Sequence, residues 1–286
     1  MAMDINQSLV NGLRILLLYD TLTDRLSVSE ISRRLGYGQS KTYRLIRPLI
    51  QYKFLQENPG TSEYSLGLNS LRVGFLAQRS FRLGSEVLPS MKELSSLTGE
   101  TVVLTAVNGT KGMVLDRVES DEPIRYTLFK PGKSIPLHAG ASSKILMAYL
   151  PEQDWNQIIA QEGLKRYTEN TITSAKRLKT HLRKIREQGF AFSDQEVDRG
   201  VKGVSAPIFN ASGELAAGLS VVGPAFRMNK VKMNHFRKLL VQYAREVSGS
   251  LGYRETEKDR DKLPERGTRR KMRLQRNSRR RTNDVV

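Results

Sequence analysis

The stretch SVSEISRRLGYGQSKTYRLI, residues 27–46, contains the signals of two helices joined by a tight turn. Ser27 is followed three residues later by Glu30, which is the spacing of a helix capping box, and apolar residues then recur at helical spacing. Gly36 and Gly38 bracket a tight turn, and a second helical pattern follows it. Two short helices joined by a glycine turn predict a helix-turn-helix.

The helix after this turn, expected to begin around Ser40, combines an apolar face with a basic face. Its predicted buried side chains are Thr42, Leu45, Ile46, Leu49 and Ile50. Arginine side chains bind guanine edges, and hydroxyl, amide and lysine groups bind bases or phosphates. Pro48 falls inside the pattern, so the helix is expected either to stop near Arg47 or to bend. The predicted contacts with double-stranded DNA are Gln39, Ser40, Lys41, Thr42, Tyr43, Arg44 and Arg47.

Residues 1–67 are predicted to form a complete winged helix-turn-helix domain. An earlier helix carries one apolar face, made of Leu9, Leu13, Leu16 and Leu17. After the basic helix, FLQENPGTSEYSL predicts two short strands around a Pro-Gly turn, which form the wing. Residues 68–83 are predicted to be a linker helix.

Residues 84–253 predict a second domain of the α+β class. The runs TVVLTAV, GMVLDRV, IRYTLF, GVSAPIF and LAAGLSVVG are typical of strands, and AGASSKILMAYL, AKRLKTHLRKIREQG and a final segment are typical of helices. These patterns indicate an antiparallel sheet flanked by helices. Residues 254–286 have few apolar side chains and many charges, so a disordered tail is expected.

Composition indicates an anionic partner and argues against several chemistries. The net charge is +18, of which the tail supplies +7, so the body of the chain is basic as well. There is no cysteine, and three histidines lie far apart, so no metal site and no cofactor are expected. The sequence shows neither a signal peptide nor about 20 consecutive apolar residues, so we expect a cytoplasmic protein without a membrane partner.

The chain resembles the IclR family of bacterial transcriptional regulators over residues 5 to about 253. The resemblance is carried by the helix-turn-helix stretch, by PLHAGASSKILMAYLP, and above all by GFAFSDQEVDRGVKGVSAPIFNASGELAAGLSVVGP. It implies a winged helix-turn-helix, a linker helix and a GAF-like α/β domain that binds a small organic acid effector. It also implies a homo-oligomer, a dimer or a tetramer, that regulates a catabolic operon, most often as a repressor.

The resemblance further implies which residues bind the effector. A helix N-terminus suits a carboxylate because its backbone amides lack internal acceptors, and this end falls on Ala141, Ser142 and Ser143. Ser143 replaces the glycine that family members usually carry there. The pocket residues carried over from the family are Ser193, Asp194, Val201, Gly203, Ser220 and Val222, with looser placements at Ile124, Thr127 and Ile135. Gly203 and Val222 favour a larger or more apolar acid, such as an aromatic or sugar-derived one.

Other functions fit the sequence less well. A sensor protein could bind nucleic acid without sequence preference through the basic tail, with the helix-turn-helix serving for dimerisation. An enzyme has no support, because Asp194 and Glu196 come with no nucleophile, metal set or phosphate-binding loop. The basic helix before Gly189 is interpreted as a solvated surface, and His138 and Trp155 as packing residues.

Overall fold

The computed structural model describes residues 5–20, 23–80 and 83–254. Its N-terminal part combines three helices with a three-stranded antiparallel sheet in the order β1-β3-β2. These elements are α1 (Gln7–Leu16), β1 (Leu26–Ser27), α2 (Val28–Leu35), α3 (Gln39–Gln51), β2 (Leu55–Asn58) and β3 (Glu63–Leu66). Because β2 and β3 form a hairpin directly after α3, the unit is a winged helix-turn-helix.

Local sequence signals explain the turn between α2 and α3. The Ser27 hydroxyl accepts a hydrogen bond from the Glu30 amide at 3.2 Å and so caps α2. Gly36 ends α2 with a φ of 67°, a left-handed conformation that glycine adopts without steric strain. Ile31 of α2 and Ile46 of α3 are fully buried in one small core. α3 continues through Pro48 to Gln51, so the expectation that it might stop near Arg47 is wrong.

The apolar face predicted for α1 is largely exposed in this chain. Leu9, Leu13 and Leu17 are 63%, 51% and 80% exposed, whereas Ile15 carries the packing against the helix-turn-helix core. The helical spacing is present as predicted, but spacing alone cannot tell which side of the helix meets the rest of its own chain. The exposed leucines therefore form a face with no partner within the described residues.

Two helices follow the wing. These are α4 (Leu68–Ser80) and α5 (Leu83–Thr98), and residues 81–82 between them lie outside the described part of the chain. The predicted basic tail, residues 254–286, lies outside it too, apart from Arg254.

The C-terminal part is a six-stranded antiparallel sheet in the order β6-β5-β4-β9-β8-β7, with helices on both faces. Its strands are β4 (Thr101–Asn108), β5 (Lys111–Val118), β6 (Ser134–Pro136), β7 (Ala191–Asp194), β8 (Val201–Phe209) and β9 (Leu215–Pro224). Its further helices are α6 (Ala141–Tyr149), α7 (Glu152–Glu162), α8 (Ala175–Gln188) and α9 (Lys230–Ser250). The α+β prediction is confirmed.

Alternation along the strands gives the sheet two different faces. Val204 and Val221 belong to the main apolar core, which also contains side chains of α5 and α9. The residues that alternate with these along the strands face the opposite way, toward α6: a Cβ placed on Gly203 would lie 3.6 Å from the Cβ of Ala141. We call this second surface the α6 face.

Two arginines of the basic helix α8 bind groups of the same domain. Arg183 binds both carboxylate oxygens of Glu152, and Arg186 donates to two carbonyls at the end of α6 while it lies 4.8 Å above the Trp155 ring. Trp155 is fully buried, as expected for a packing residue. In the described ranges no helix combines the length and the apolar character that crossing a bilayer requires.

Candidate functional site

The outward face of α3 presents a continuous polar and basic surface. Six of the seven side chains predicted to contact DNA are exposed on this face. They are Gln39, Ser40, Lys41, Tyr43, Arg44 and Arg47. Lys41 lies 4.3 Å above the Tyr37 ring and Arg47 lies 5.9 Å from the Tyr43 ring. Aromatic rings hold these cations over the helix surface without neutralising them.

Thr42 is the exception among the predicted DNA contacts. It is fully buried, its hydroxyl accepts from Ser32 at 2.9 Å, and it donates to the Gly38 carbonyl at 3.2 Å. Its position on the inner side of α3 follows from the helical period, and the polar side chain is satisfied by α2 and by the turn. Thr42 therefore fixes α3 against α2 and does not reach a ligand of the outer face.

The start of α3 adds a second feature suited to phosphate. Gly38 caps the helix without a side chain, so the amides of the first turn have no side-chain acceptor. Within the described chain no carboxylate lies within salt-bridge distance of Lys41, Arg44 or Arg47. Unneutralised cations beside an uncapped helix N-terminus form a surface that attracts polyanions.

The sheet brings several predicted effector residues together on the α6 face. Ser193 pairs with Gly203, and Gly203 pairs with Val222, so these three form one row across β7, β8 and β9. Ser220 lies in the next row, opposite Ser205, and the two hydroxyls are hydrogen-bonded. Side chains in adjacent rows on one face are neighbours, so residues far apart in sequence share one surface.

The N-terminus of α6 faces this surface. Ala141, Ser142 and Ser143 are each almost completely buried, and their amides meet no acceptor among the described residues. The preceding amide, that of Gly140, donates to a Glu196 carboxylate oxygen at 3.1 Å. The helix end therefore already holds one carboxylate and keeps three amides available beside it.

An apolar cluster adjoins the polar rows. Val222 packs with Val103, Val114 and Ile135, and the partly buried Val201, Tyr126 and Phe129 pack against them. Ile135 and Val201, two of the predicted effector residues, thus lie in or beside this cluster. The Tyr126 and Phe129 rings contact edge to face, with centroids 5.4 Å apart. The surface can hold a group that is anionic at one end and apolar at the other.

Three predicted effector residues are not on this surface. Asp194 follows Ser193 in the strand and therefore points to the other face, where it pairs with Lys202 at 3.0 Å. Ile124 is 64% exposed and Thr127 is exposed as well. In this segment the partly buried side chains are those of Tyr126 and Phe129. The residues carried over from the family, Ile124 and Thr127, are neighbours of these that point outward.

Sequence reasoning missed several residues of the α6 face. Ser205 could have been found, because it shares the strand parity of Gly203. Tyr126 lies in the run IRYTLF, which was predicted to be a strand but is irregular in the structure. Its hydroxyl donates a hydrogen bond to Asp198, in the connection of β7 and β8. Burial, followed by the contact with Asp198, raises the pKa of Tyr126, so the hydroxyl keeps its proton.

His138 packs inside the domain, as expected. A ring nitrogen of His138 lies 2.9 Å from the Lys165 carbonyl, and the ring stacks on Tyr167 with centroids 5.8 Å apart. Over the described ranges, His, Asp and Glu side chains form no cluster of three or more that could hold a metal ion.

A winged helix-turn-helix followed by an α/β domain is typical of a transcriptional regulator that binds DNA. Two family models match the chain: "IclR helix-turn-helix domain" over residues 8–59 and "Bacterial transcriptional regulator IclR C-terminal" over residues 77–249. The chain belongs to the IclR family. Proteins of this family are regulators of transcription and not enzymes.

Individual relatives agree with this assignment. The HTH-type transcriptional regulator XynR of Escherichia coli is 29% identical over 252 residues, which cover 88% of this chain and 99% of XynR. The transcriptional repressor IclR of the same organism is 27% identical over 248 residues, 86% of this chain and 90% of that protein. A crystallised IclR homologue from Microbacterium hydrocarbonoxydans, complexed with 4-hydroxybenzoate, has a TM-score of 0.74 at 20% identity, covering 86% of this chain and 99% of that one.

Proposed function

We propose that this protein represses a catabolic operon by binding its operator through α3, and that a small carboxylic acid bound on the α6 face controls this binding. In this proposal residues 1–67 read the DNA, residues 68–83 link the two parts, and residues 84–253 bind the acid. The protein acts in the cytoplasm, where the operator is. The repressor IclR, to which the chain is similar, supports the direction of regulation.

Recognition of DNA rests on one observation: the exposed stripe of α3 carries cations that no carboxylate of the described chain neutralises. Arg44 and Arg47 are three residues apart, so both point from the same side of the helix. A helix of this kind enters the major groove with its N-terminal half against the bases. Arg44 is assigned to a base edge, and the uncapped first turn, with Lys41, is assigned to phosphate.

Arg44→Ala tests this assignment. Operator fragments are first selected from genomic DNA, and affinities are then measured by fluorescence anisotropy for the selected site and for single-base mismatches. Removal of a bidentate bond to a base is expected to cost about 1–3 kcal/mol of discrimination at one position. Arg177→Ala is the matched control, since Arg177 is an exposed arginine of α8. Equal weakening on every sequence would assign Arg44 to phosphate alone.

The competing function is binding without sequence preference through the basic tail. It predicts that the chain binds selected and scrambled duplexes alike, because phosphate contacts carry no sequence information. If the whole chain prefers the selected duplex, and still does after deletion of residues 254–286, binding through the tail alone is excluded.

The acid effector is supported by the geometry of the α6 N-terminus. Three amides without acceptors adjoin an apolar cluster that includes two aromatic rings. An anion at a helix N-terminus is stabilised by the amides and by the helix dipole, while the apolar cluster stabilises the rest of the molecule. The combination favours an aromatic acid, the class to which the 4-hydroxybenzoate of the related complex belongs.

A thermal-shift screen of aromatic, keto and sugar acids tests this assignment. Each acid is paired with its neutral amide, so that the contribution of the carboxylate is isolated. Ligand at 100 times its dissociation constant stabilises the folded state by about 2.7 kcal/mol, which raises the melting temperature by a few degrees. If no acid stabilises the protein more than its amide does, the carboxylate site is refuted.

A homodimer is the proposed functional unit. α1 exposes Leu9, Leu13 and Leu17, and α4 exposes Leu71 and Phe75 at 70% and 57%. Exposed apolar side chains on two helices mark interaction surfaces. A second copy of the same chain fits, because two winged helices must be held together to read two half-sites. Binding of the acid would then change the spacing of the two winged helices through the linker.

A further inference from the structure

A buried lysine lies directly behind the proposed carboxylate site. Lys144 is the fourth residue of α6 and is fully buried. Its ammonium group has three acceptors: a Glu196 carboxylate oxygen, the Phe192 carbonyl at 3.0 Å, and a ring nitrogen of His181 at 3.2 Å. An ammonium carries three N–H donors and a neutral amine carries two, so three acceptors match the charged form.

His181 is able to accept this hydrogen bond because it is neutral. Burial, followed by the nearby charges of Lys144 and Lys184, lowers the pKa of His181 to about 4. Burial also lowers the pKa of Lys144, and the contact with Glu196 opposes this effect. Within the described ranges, the carboxylate that compensates the ammonium is that of Glu196.

Glu196 is held firmly at the end of α6. One of its oxygens contacts Lys144 and the other accepts from the Gly140 amide at 3.1 Å. Thr168 and Thr171 donate to the carbonyls of Gln195 and Glu196 at 2.6 and 2.7 Å, which fixes the backbone of this loop. The carboxylate thus lies one residue from the three available amides.

An arginine beside the apolar cluster of the α6 face is paired with a carboxylate as well. The Arg117 guanidinium donates to the carbonyls of Thr127 and Phe129 and also contacts the Glu119 carboxylate. Lys144 and Arg117, two described cations next to this surface, are thus each paired with a carboxylate. The partial charge of the α6 N-terminus, about half an elementary charge, remains as the attraction for an anion.

We infer that Lys144 and Glu196 are positioning residues that set the charge of the site, so that it takes a monocarboxylate and discriminates against dicarboxylates. This inference rests on the proposed acid-binding function. Lys144 cancels a carboxylate that would otherwise repel the ligand, and Glu196 cancels an ammonium that would otherwise hold a second ligand charge. Like charges separated by a few ångströms in a poorly solvated site repel strongly.

Binding of fluorine-labelled benzoate and of the matching benzamide, measured by ligand-observed NMR on full-length variants, tests the charge role. In Lys144→Met the acid is expected to bind at least about tenfold more weakly, while the amide changes less than about twofold. In the double variant K144M/E196Q, acid binding is expected to return to within about threefold of wild type. A merely structural pair would instead weaken acid and amide together, and the double variant would not recover.

Glu196→Gln provides a second test of the charge role if Lys144→Met does not fold. It leaves Lys144 without its counter-charge, so acid binding is expected to equal or exceed that of the wild type, with the amide unchanged. Weakened binding of both ligands would overturn the inference. If the wild type binds neither fluorobenzoate nor any acid of the screen, the proposed acid site itself fails, and the inference fails with it.

The discrimination of ligand charge is tested on the wild type with terephthalate and its monomethyl ester. The two molecules are similar in size, but only the first carries two charges. The ester is expected to bind at least about tenfold more tightly, and Glu196→Gln is expected to narrow this difference. Equal binding of diacid and ester by a protein that binds benzoate would overturn the monocarboxylate assignment and leave the acid site intact.

Discussion

Two glycines of the α6 face are predicted to respond oppositely to the same substitution. A Cβ on Gly203 would lie 3.5 Å from a Val222 methyl carbon and 3.6 Å from the Ala141 Cβ, which are ordinary contacts. A Cβ on Gly218 would lie 2.7 Å from an Ile145 methyl carbon and 3.1 Å from the Thr105 hydroxyl. The first methyl group therefore enters space near the α6 N-terminus, and the second enters a filled core.

The expected stabilities follow from these distances. Gly203→Ala should change the free energy of unfolding by less than about 1 kcal/mol, since removing backbone freedom from the unfolded chain offsets small losses. Gly218→Ala should lower it by about 1–3 kcal/mol, as overpacked cores do. Urea unfolding followed by circular dichroism measures both values on otherwise identical chains.

The effects on ligand binding should be reversed. The Gly203→Ala methyl group narrows the gap between β8 and the start of α6, so acid binding should weaken by about tenfold, or about 1.4 kcal/mol. Gly218→Ala, wherever it remains folded, should bind the acid within about threefold of wild type. If Gly203→Ala destabilised the protein by several kcal/mol and left acid binding unchanged, Gly203 would be a packing residue and the proposed site would be misplaced.

Three further predictions concern the cap of α2, the dimer and pH. Ser27→Ala should lower the free energy of unfolding by about 1 kcal/mol in urea titrations, because the Glu30 amide loses its acceptor, and Ser27→Asp should restore it. Leu71→Asp should shift the sedimentation coefficient toward that of a monomer, whereas Leu128→Asp, at another exposed leucine, should not; a monomeric wild type would refute the dimer. The pKa of His181 in the folded chain is about 4, below the ordinary value of 6.5. Between these two pH values the unfolded chain binds a proton that the folded chain does not, so stability should fall as the pH drops from 6.5 to 4. After allowance for partial exposure the decrease is about 1–2 kcal/mol, and His181→Gln should flatten this part of the stability profile; an unchanged profile would contradict the assignment.

Much of the N-terminal fold could be predicted because its signals are local. Ser27, Glu30 and Gly36 lie within ten residues, and each acts on the backbone next to it. The burial of Ile31 and Ile46 followed from the helical period in the same way. The helical period could not show whether an apolar face packs against the rest of its own chain. The exposure of the α1 leucines was therefore seen only in the structure.

The α6 face could be predicted in part, from strand parity and from the family motif. Ser193, Gly203 and Val222 share a row because strands alternate, whereas Asp194 points away for the same reason. The pair of Lys144 and Glu196 is separated by 52 residues, and no local pattern indicates such a contact. Tyr126 was missed because irregular segments have no fixed period from which orientation can be inferred.

Sequence reading by α3 is tested by deleting residues 254–286 and comparing affinities for a selected operator and a scrambled duplex at several salt concentrations. The preference for the operator is predicted to survive the deletion. The salt dependence should become shallower, by about 0.9 in log–log slope for each phosphate that the tail no longer neutralises. If the shortened chain bound both duplexes equally, α3 would not read sequence. If it bound neither, the tail would be the nucleic-acid element, and either result contradicts sequence reading by α3.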